Sequence, residues 1–236
     1  MKRYFIILLA FVGCNNSPGC FISNGDIVSQ TVDVPVFNEI TINDNISLEL
    51  STGPQAVSIT AGKNLLNNIE FNVQDESLTI SNLNKCNWAR KYKDITVSIS
   101  HPDLNSILLL GFGKVYSKDT LKYNELTLIS RDSPSPIRLV LNLDKFFLST
   151  NNVSNIKLSG YVRNLQAEIY TADGIIDAKN LIVDEFEIIH RGFNTVSINP
   201  VKKLSGELLG PGILELYYEP VVNELVVKGG ILIEKY

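Results

Sequence analysis

From Leu104 onward, small residues return along the chain about every 20 positions. They form the turns Gly111-Phe112-Gly113, Ser133-Pro134-Ser135, Asn152-Val153-Ser154, Ala172-Asp173-Gly174, Gly192-Phe193-Asn194, Gly210-Pro211-Gly212 and Gly229-Gly230. Alternating runs lie between them, as in Ile213-Leu214-Glu215-Leu216. Alternation at period two means a strand with one buried and one wet face. A single rung of such strands cannot bury its own apolar side. Rungs of similar length that stack upon each other can, and the cadence therefore predicts a β-solenoid of about 20 residues per rung, with short strands separated by bends. The competing all-β arrangement, an antiparallel sandwich, calls for hairpin turns such as Asn-Gly. Within the repeat region only Asp173-Gly174 fits that description.

The earlier part of the chain alternates too, in Ile46-Ser47-Leu48-Glu49-Leu50, Val57-Ser58-Ile59-Thr60 and Ile95-Thr96-Val97-Ser98-Ile99. Helical periodicity is nearly absent after the N-terminal segment; residues 64–69 allow one turn. Ile22 to His101 lacks regular turns and is expected to form the first, broader rungs. Ile231-Leu232-Ile233-Glu234-Lys235-Tyr236 reads as a last strand. Solenoid ends expose strand edges, so a cap or partner is expected there.

The N-terminus gives an address. Lys2 and Arg3 precede an apolar run from Tyr4 to Val12, too short to cross a bilayer, which needs about 20 apolar residues. A basic head, a short apolar core and a small residue at its end describe a secretory signal. Phe11-Val12-Gly13-Cys14 resembles the lipobox of bacterial lipoproteins, with Phe11 where Leu is usual. That resemblance implies cleavage before Cys14 and acylation of its sulfur, palmitate being one such acyl group, and of its new amino group. Several acyl chains give stable membrane anchoring. The alternative is an ordinary signal peptide with Cys14 a plain thiol. The expected organisation is a signal peptide over 1–13, a lipidated tether over 14–21 and one β-helix domain over 22–236. The expected location is the cell envelope, lipid-anchored at the outer membrane, on a face the sequence leaves open.

If Cys14 carries lipid, Cys20 and Cys86 remain of the three cysteines. In an oxidising compartment they are expected to form a disulfide, the alternative being two buried thiols. Closing a loop of that length stabilises a fold by at most about 4 kcal/mol on the chain-entropy account.

Loss of the signal leaves 223 of 236 residues, enough for one domain with a real core. It also removes Lys2 and Arg3, taking the formal charge from −4 to −6. An acidic chain has no electrostatic footprint for nucleic acid. With His101 and His190 its only histidines, it offers little for imidazole metal sites or acid–base chemistry. No cofactor and no metal is expected.

A set of segments carries a family resemblance. They are Cys20-Phe21-Ile22-Ser23-Asn24-Gly25-Asp26, Phe37-Asn38-Glu39-Ile40, Asp44-Asn45-Ile46, Gly62-Lys63-Asn64-Leu65-Leu66 and Asn84-Lys85-Cys86-Asn87-Trp88. Together with the Gly-x-Gly turns they resemble the auto-transporter adhesin, head GIN domain family. The resemblance spans the mature chain and is tightest in its N-terminal half. It implies a right-handed parallel β-helix, an envelope lipoprotein of Gram-negative bacteria and no established enzyme activity.

Candidate sites are few. Lys85, Trp88, Arg90, Lys91, Tyr92 and Lys93 form a basic, aromatic segment holding the only tryptophan. Trp88, Arg90 and Tyr92 are the candidate ligand contacts, suited to stacking on a sugar or pairing with an anionic glycan; packing of Trp88 over the disulfide is the structural alternative. Gly111-Phe112-Gly113-Lys114 lacks phosphate-loop spacing and a following helix, so it reads as a solenoid corner. Asp173, His190 and Arg191 fall near successive bends, but the carboxylates are too scattered for a calcium site. No serine or cysteine pairs with a histidine in a recognisable triad order. The sequence points to a non-catalytic binding or scaffolding surface with a glycan, envelope protein or host protein as partner. The alternatives are a polysaccharide lyase or hydrolase, which requires convergent carboxylates in a groove, and a periplasmic assembly or stress factor.

Overall fold

The structure, a computed structural model, describes residues 23–85, 94–151, 153–170 and 173–236. The signal segment, the tether, and Cys14, Cys20, Cys86, Trp88, Arg90 and Tyr92 lie outside these residues. The described strands are β1 (Ile27–Thr31), β2 (Glu39–Ile42), β3 (Ser47–Thr52), β4 (Ala56–Gly62), β5 (Ile69–Gln74), β6 (Ser77–Asn82), β7 (Thr96–His101) and β8 (Ser106–Leu109). They continue as β9 (Val115–Ser130), β10 (Ile137–Thr150), β11 (Ile156–Ile169), β12 (Ile176–His190), β13 (Thr195–Leu208), β14 (Ile213–Leu216), β15 (Val222–Val227) and β16 (Ile231–Glu234). The expected helical turn is a 3₁₀ turn at Leu66–Asn68.

From β9 to β16 every pairing is parallel, each strand lying beside its equivalent one rung away. Val115 pairs with Ile137, Ile137 with Ile156, Ile156 with Ile176, Ile176 with Val196 and Val196 with Leu214. The offsets are 22, 19, 20, 20 and 18 residues. The chain is a β-solenoid, and its rungs shorten towards the C-terminus.

Each complete rung has three legs and one tight bend. The sequence suggested short strands at every leg; instead β9 to β13 run for 14–16 residues around the corners. Two successive outward residues, as at Asn124-Glu125, Asp144-Lys145 and Asp184-Glu185, shift the alternation by one and turn the strand without interrupting its ladder. In β10, Leu139, Leu141 and Leu143 point inward before the corner, and Phe146 and Leu148 after it. The corners carry ion pairs from rung to rung: Arg163 Nε to Asp144 Oδ1 at 3.0 Å, and Lys202 Nζ to Asp184 Oδ2 at 2.7 Å. Such exposed pairs contribute little stability individually.

Inward residues stack in columns. Leu128, Leu148, Ala167 and Ile188 are consecutive register partners, all almost wholly buried. Burial of a leucine or isoleucine side chain contributes roughly 1.5–3 kcal/mol, which makes this continuous column the main source of stability.

The N-terminal part departs from the expectation of broader rungs. β2 and β3 do form a rung: β2 pairs in parallel with β6 and β8, and β3 with β7 and β9. Beyond them the stacking reverses direction. β4 is antiparallel to β7 and β1, and β5 is antiparallel to β6. The β5–β6 connection is the two-residue turn Asp75-Glu76, with positive φ at both positions as a type I′ hairpin requires. These strands close the N-terminal end of the column over Phe37, Leu65 and Leu78, all fully buried.

Candidate functional site

The periodic turns form one edge of the molecule. Counting back two residues from the paired Val115, Ile137, Ile156, Ile176, Val196 and Leu214 puts Gly113, Ser135, Ser154, Gly174, Asn194 and Gly212 in one buried column. Packing explains their size. A Cβ on Gly113 would run into the carbonyl of Ile46, and one on Gly174 into that of Ser154. Where the column carries a side chain, that chain bridges two rungs. Ser135 Oγ donates to Gly111 O at 3.2 Å, Ser154 Oγ to Ser133 O at 2.5 Å and Asn194 Nδ2 to Gly174 O at 2.7 Å. Bend carbonyls that a flat sheet would pair in its ladder are satisfied in this way.

The residue at the tip of each turn faces solvent. Phe112, Pro134, Val153, Asp173, Phe193 and Pro211 follow one another along the edge, all exposed. Phe112 is 58% exposed, Val153 56% and Phe193 65%. Aromatic, aliphatic and prolyl tips repeated rung after rung make a contiguous apolar stripe interrupted by one carboxylate. Contiguous stripes of this kind mark binding surfaces more often than isolated exposed residues do.

The outward face of the first leg adjoins the stripe. One column holds Lys114, Pro136, Asn155 and Ile175; the next holds Tyr116, Arg138, Lys157 and Asp177, which are register partners. Between them runs an open groove of about 800 Å³. Lys114 pairs with Asp94 at 2.8 Å, and Lys157 stands 3.8 Å from Asp177. Arg138 has no carboxylate partner among the described residues. Burial, helped by the Glu49 carboxylate, pushes the Tyr116 phenol above its usual pKa, so it stays a neutral hydrogen-bond donor. The groove thus sets apolar surface beside three cations, Lys114, Arg138 and Lys157, the last two one rung apart, with Asp177 the single lining carboxylate among the described residues. This arrangement suits stacking and anion pairing.

A second groove, of about 510 Å³, lies over the third leg. Its outward columns mix Glu125, Lys145, Asn164, Glu185 and Lys203 with Thr127, Phe147, Gln166, Glu187 and Ser205. Opposite charges alternate there, which leaves it without a dominant sign.

The predicted ligand contacts Trp88, Arg90 and Tyr92 lie outside the described residues, as do the lipid-attachment residue Cys14 and the disulfide candidates Cys20 and Cys86. Asp94, which follows that aromatic segment, holds Lys114 at the rim of the first groove. Gly111-Phe112-Gly113-Lys114 is a solenoid bend. Asp173, His190 and Arg191 do not converge: Asp173 is a turn tip, His190 is fully buried and Arg191 lies 5.7 Å from the Tyr170 ring centroid. His101 is also structural. Its Nδ1 accepts from the Asp103 N–H, so Nε2 carries the proton and donates to Phe37 O at 2.7 Å. Sequence reasoning located the turns but passed over their tips and the Arg138–Lys157 pair. The spacing of Arg138, Lys157 and Asp177, 19 and then 20 residues, was the available signal.

Three solved structures of similar shape are distant in sequence. One described as a putative adhesin from Bacteroides fragilis NCTC 9343 matches with a TM-score of 0.79 at 23% identity, covering 91% of this chain and 100% of its own. A putative adhesin from Parabacteroides distasonis ATCC 8503 matches with a TM-score of 0.68 at 18% identity, covering 90% and 98%. A structure from the same organism, described as a putative lipid binding protein, gives 0.65 at 16% identity, covering 91% and 98%. At these identities the likeness establishes the fold. No curated protein matches the chain. The model of the family described as "Putative auto-transporter adhesin, head GIN domain" matches residues 36–220, and the chain belongs to that family.

Proposed function

We propose that this is a lipid-anchored, non-catalytic binding protein of the cell envelope, and that the turn-tip stripe with the first-leg groove is its ligand surface. Cys14 carries the anchor. The ligand is an extended anionic glycan lying along the solenoid axis. One observation carries the reading: apolar tips, interrupted once by Asp173, recur on rungs about 4.8 Å apart, beside Arg138, which has no carboxylate partner among the described residues, and the loosely paired Lys157. That spacing is close to the length one pyranose adds to an extended sugar chain. Aromatic and prolyl tips suit the apolar faces of sugar rings, and guanidinium and ammonium groups suit their carboxylates. Membership of an adhesin family supports a binding role at the envelope. Trp88, Arg90 and Tyr92 are proposed as further ligand contacts.

The test is binding of the purified chain to immobilised glycans, with uronate-containing and neutral chains compared and with envelope and matrix proteins in parallel. Retention on uronate chains that weakens with salt supports the reading; retention on proteins alone overturns the glycan assignment. Protease shaving of whole cells separates a surface role from a periplasmic one, and a Cys14→Ser chain that still floats with membranes would remove the lipid anchor.

A further inference from the structure

The C-terminal end of the column is open. Among the described residues β15 pairs only with β13, and β16 only with β14, so each leaves one edge of its backbone unpaired. Leu232 continues the inward column of Ile176, Val196 and Leu214, which are at most 3% exposed, yet it is only half-buried itself. Around it Val226 and Val227 are each 47% exposed and Ile231 is 55% exposed. At the opposite end β1 and β5 are also edge strands among the described residues, but the core beneath the antiparallel strands, Phe37, Leu65 and Leu78, is fully buried. An uncovered core flanked by open edges is the feature solenoids ordinarily cap.

We propose that a second copy of this chain caps it, end to end. Two edges stand open at once, one on each leg beside the bend. A single extended peptide would cover one of them; an identical solenoid end brings both strands and the apolar surface between them. A two-fold axis crossing the column through the bend lays β16 of one copy antiparallel to β15 of the other, and the reverse, as an isologous interface requires. Little of the charge at this end opposes this approach. Glu224, Glu207 and Glu215 are already neutralised within the chain by Lys203 at 2.7 Å, Lys228 at 2.6 Å and Lys235 at 3.5 Å. On the two edge strands Glu234 of β16, which accepts from the Tyr236 hydroxyl, is then the one carboxylate outside an ion pair among the described residues, fewer charges than usually prevent strand-to-strand association.

The test uses the full chain with Cys14→Ser, so that no acyl group can hold copies together. Sedimentation across a concentration series is expected to show a monomer–dimer equilibrium. Hydrogen exchange in residues 222–227 and 231–234 is expected to slow as the dimer forms. Val226→Lys and Ile231→Lys, at exposed positions, are each expected to weaken dimerisation at least tenfold with the thermal midpoint of the monomer unchanged. A chain that stays monomeric at high concentration overturns the proposal, even if it captures a strand-like peptide at this end. So does a dimer that is indifferent to both substitutions.

Discussion

His190 and Asn194 are joined inside the column, imidazole Nε2 lying 3.0 Å from carboxamide Oδ1. Asn194 spends its Nδ2 on Gly174 O, so Oδ1 must accept and the His190 Nε2 must carry the proton. Among the described residues Nδ1 is buried without a partner. A second proton there would place a charge in an apolar stack, and burial accordingly lowers the His190 pKa, against a smaller opposing effect of Asn194.

The pH dependence follows from that direction. The unfolded chain binds a proton at about pH 6.5, while the folded chain resists until a lower pH. Stability is full above about 6.5 and falls as pH drops towards the folded value. Chemical denaturation at pH 7.5 and pH 5.5 should show this loss, and His190→Leu should reduce it. An unchanged difference between the two pH values in the variant would assign the loss to other groups.

Gly174 tests the bend. Its missing Cβ leaves room for the Ser154 carbonyl, and backbone cannot move aside as a flexible side chain can. Gly174→Ala is expected to destabilise by about 1–3 kcal/mol, as overpacking does. For a domain of this size that lowers the thermal midpoint by several degrees. Its neighbour Asp173 is exposed at the tip, and Asp173→Ala should stay within about 0.5 kcal/mol of the parent. Calorimetry of the pair separates the inward from the outward turn position.

Tyr123 offers a second titration. Its ring lies inside the second leg, 5% exposed, and burial is the main reason its pKa rises to about 12. Above pH 10 the unfolded chain gives up a phenol proton that the folded chain keeps, so this tyrosine's contribution to stability is lost between about 10 and 12. Ultraviolet titration should show a late-ionising tyrosine that disappears in Tyr123→Phe.

The solenoid was legible because Gly113, Ser135, Ser154, Gly174, Asn194 and Gly212 answer to one constraint, the close approach of neighbouring rungs. Sterics of that kind write themselves into residue size at a fixed interval. The corners were harder to read. Asp144-Lys145 signals a change of direction only by breaking alternation once, and such a break is equally compatible with a loop. The N-terminal cap escaped because Asp75-Glu76 makes a two-residue hairpin without asparagine or glycine, the neighbouring structure holding both residues at positive φ. The ligand face was hidden for a different reason. Arg138 and Lys157 are ordinary outward residues in sequence, and only the register makes them neighbours.

Inward and outward positions of the same rungs should therefore fail in opposite ways. Leu148 is 1% exposed between Leu128 and Ala167, and Leu148→Ala is expected to cost about 2–5 kcal/mol through the cavity it leaves. Phe193, 65% exposed, should tolerate alanine within about 0.5 kcal/mol while losing affinity for the sugar chain. The double change Arg138→Glu with Lys157→Glu places two carboxylates where the ligand's own should sit. It is expected to weaken uronate binding at least tenfold with the thermal midpoint unmoved, since neither side chain contributes to the core. Parallel melting curves and binding isotherms decide the matter: if Phe193→Ala unfolds the protein more readily but binds as before, the stripe is packing and the ligand lies on another face.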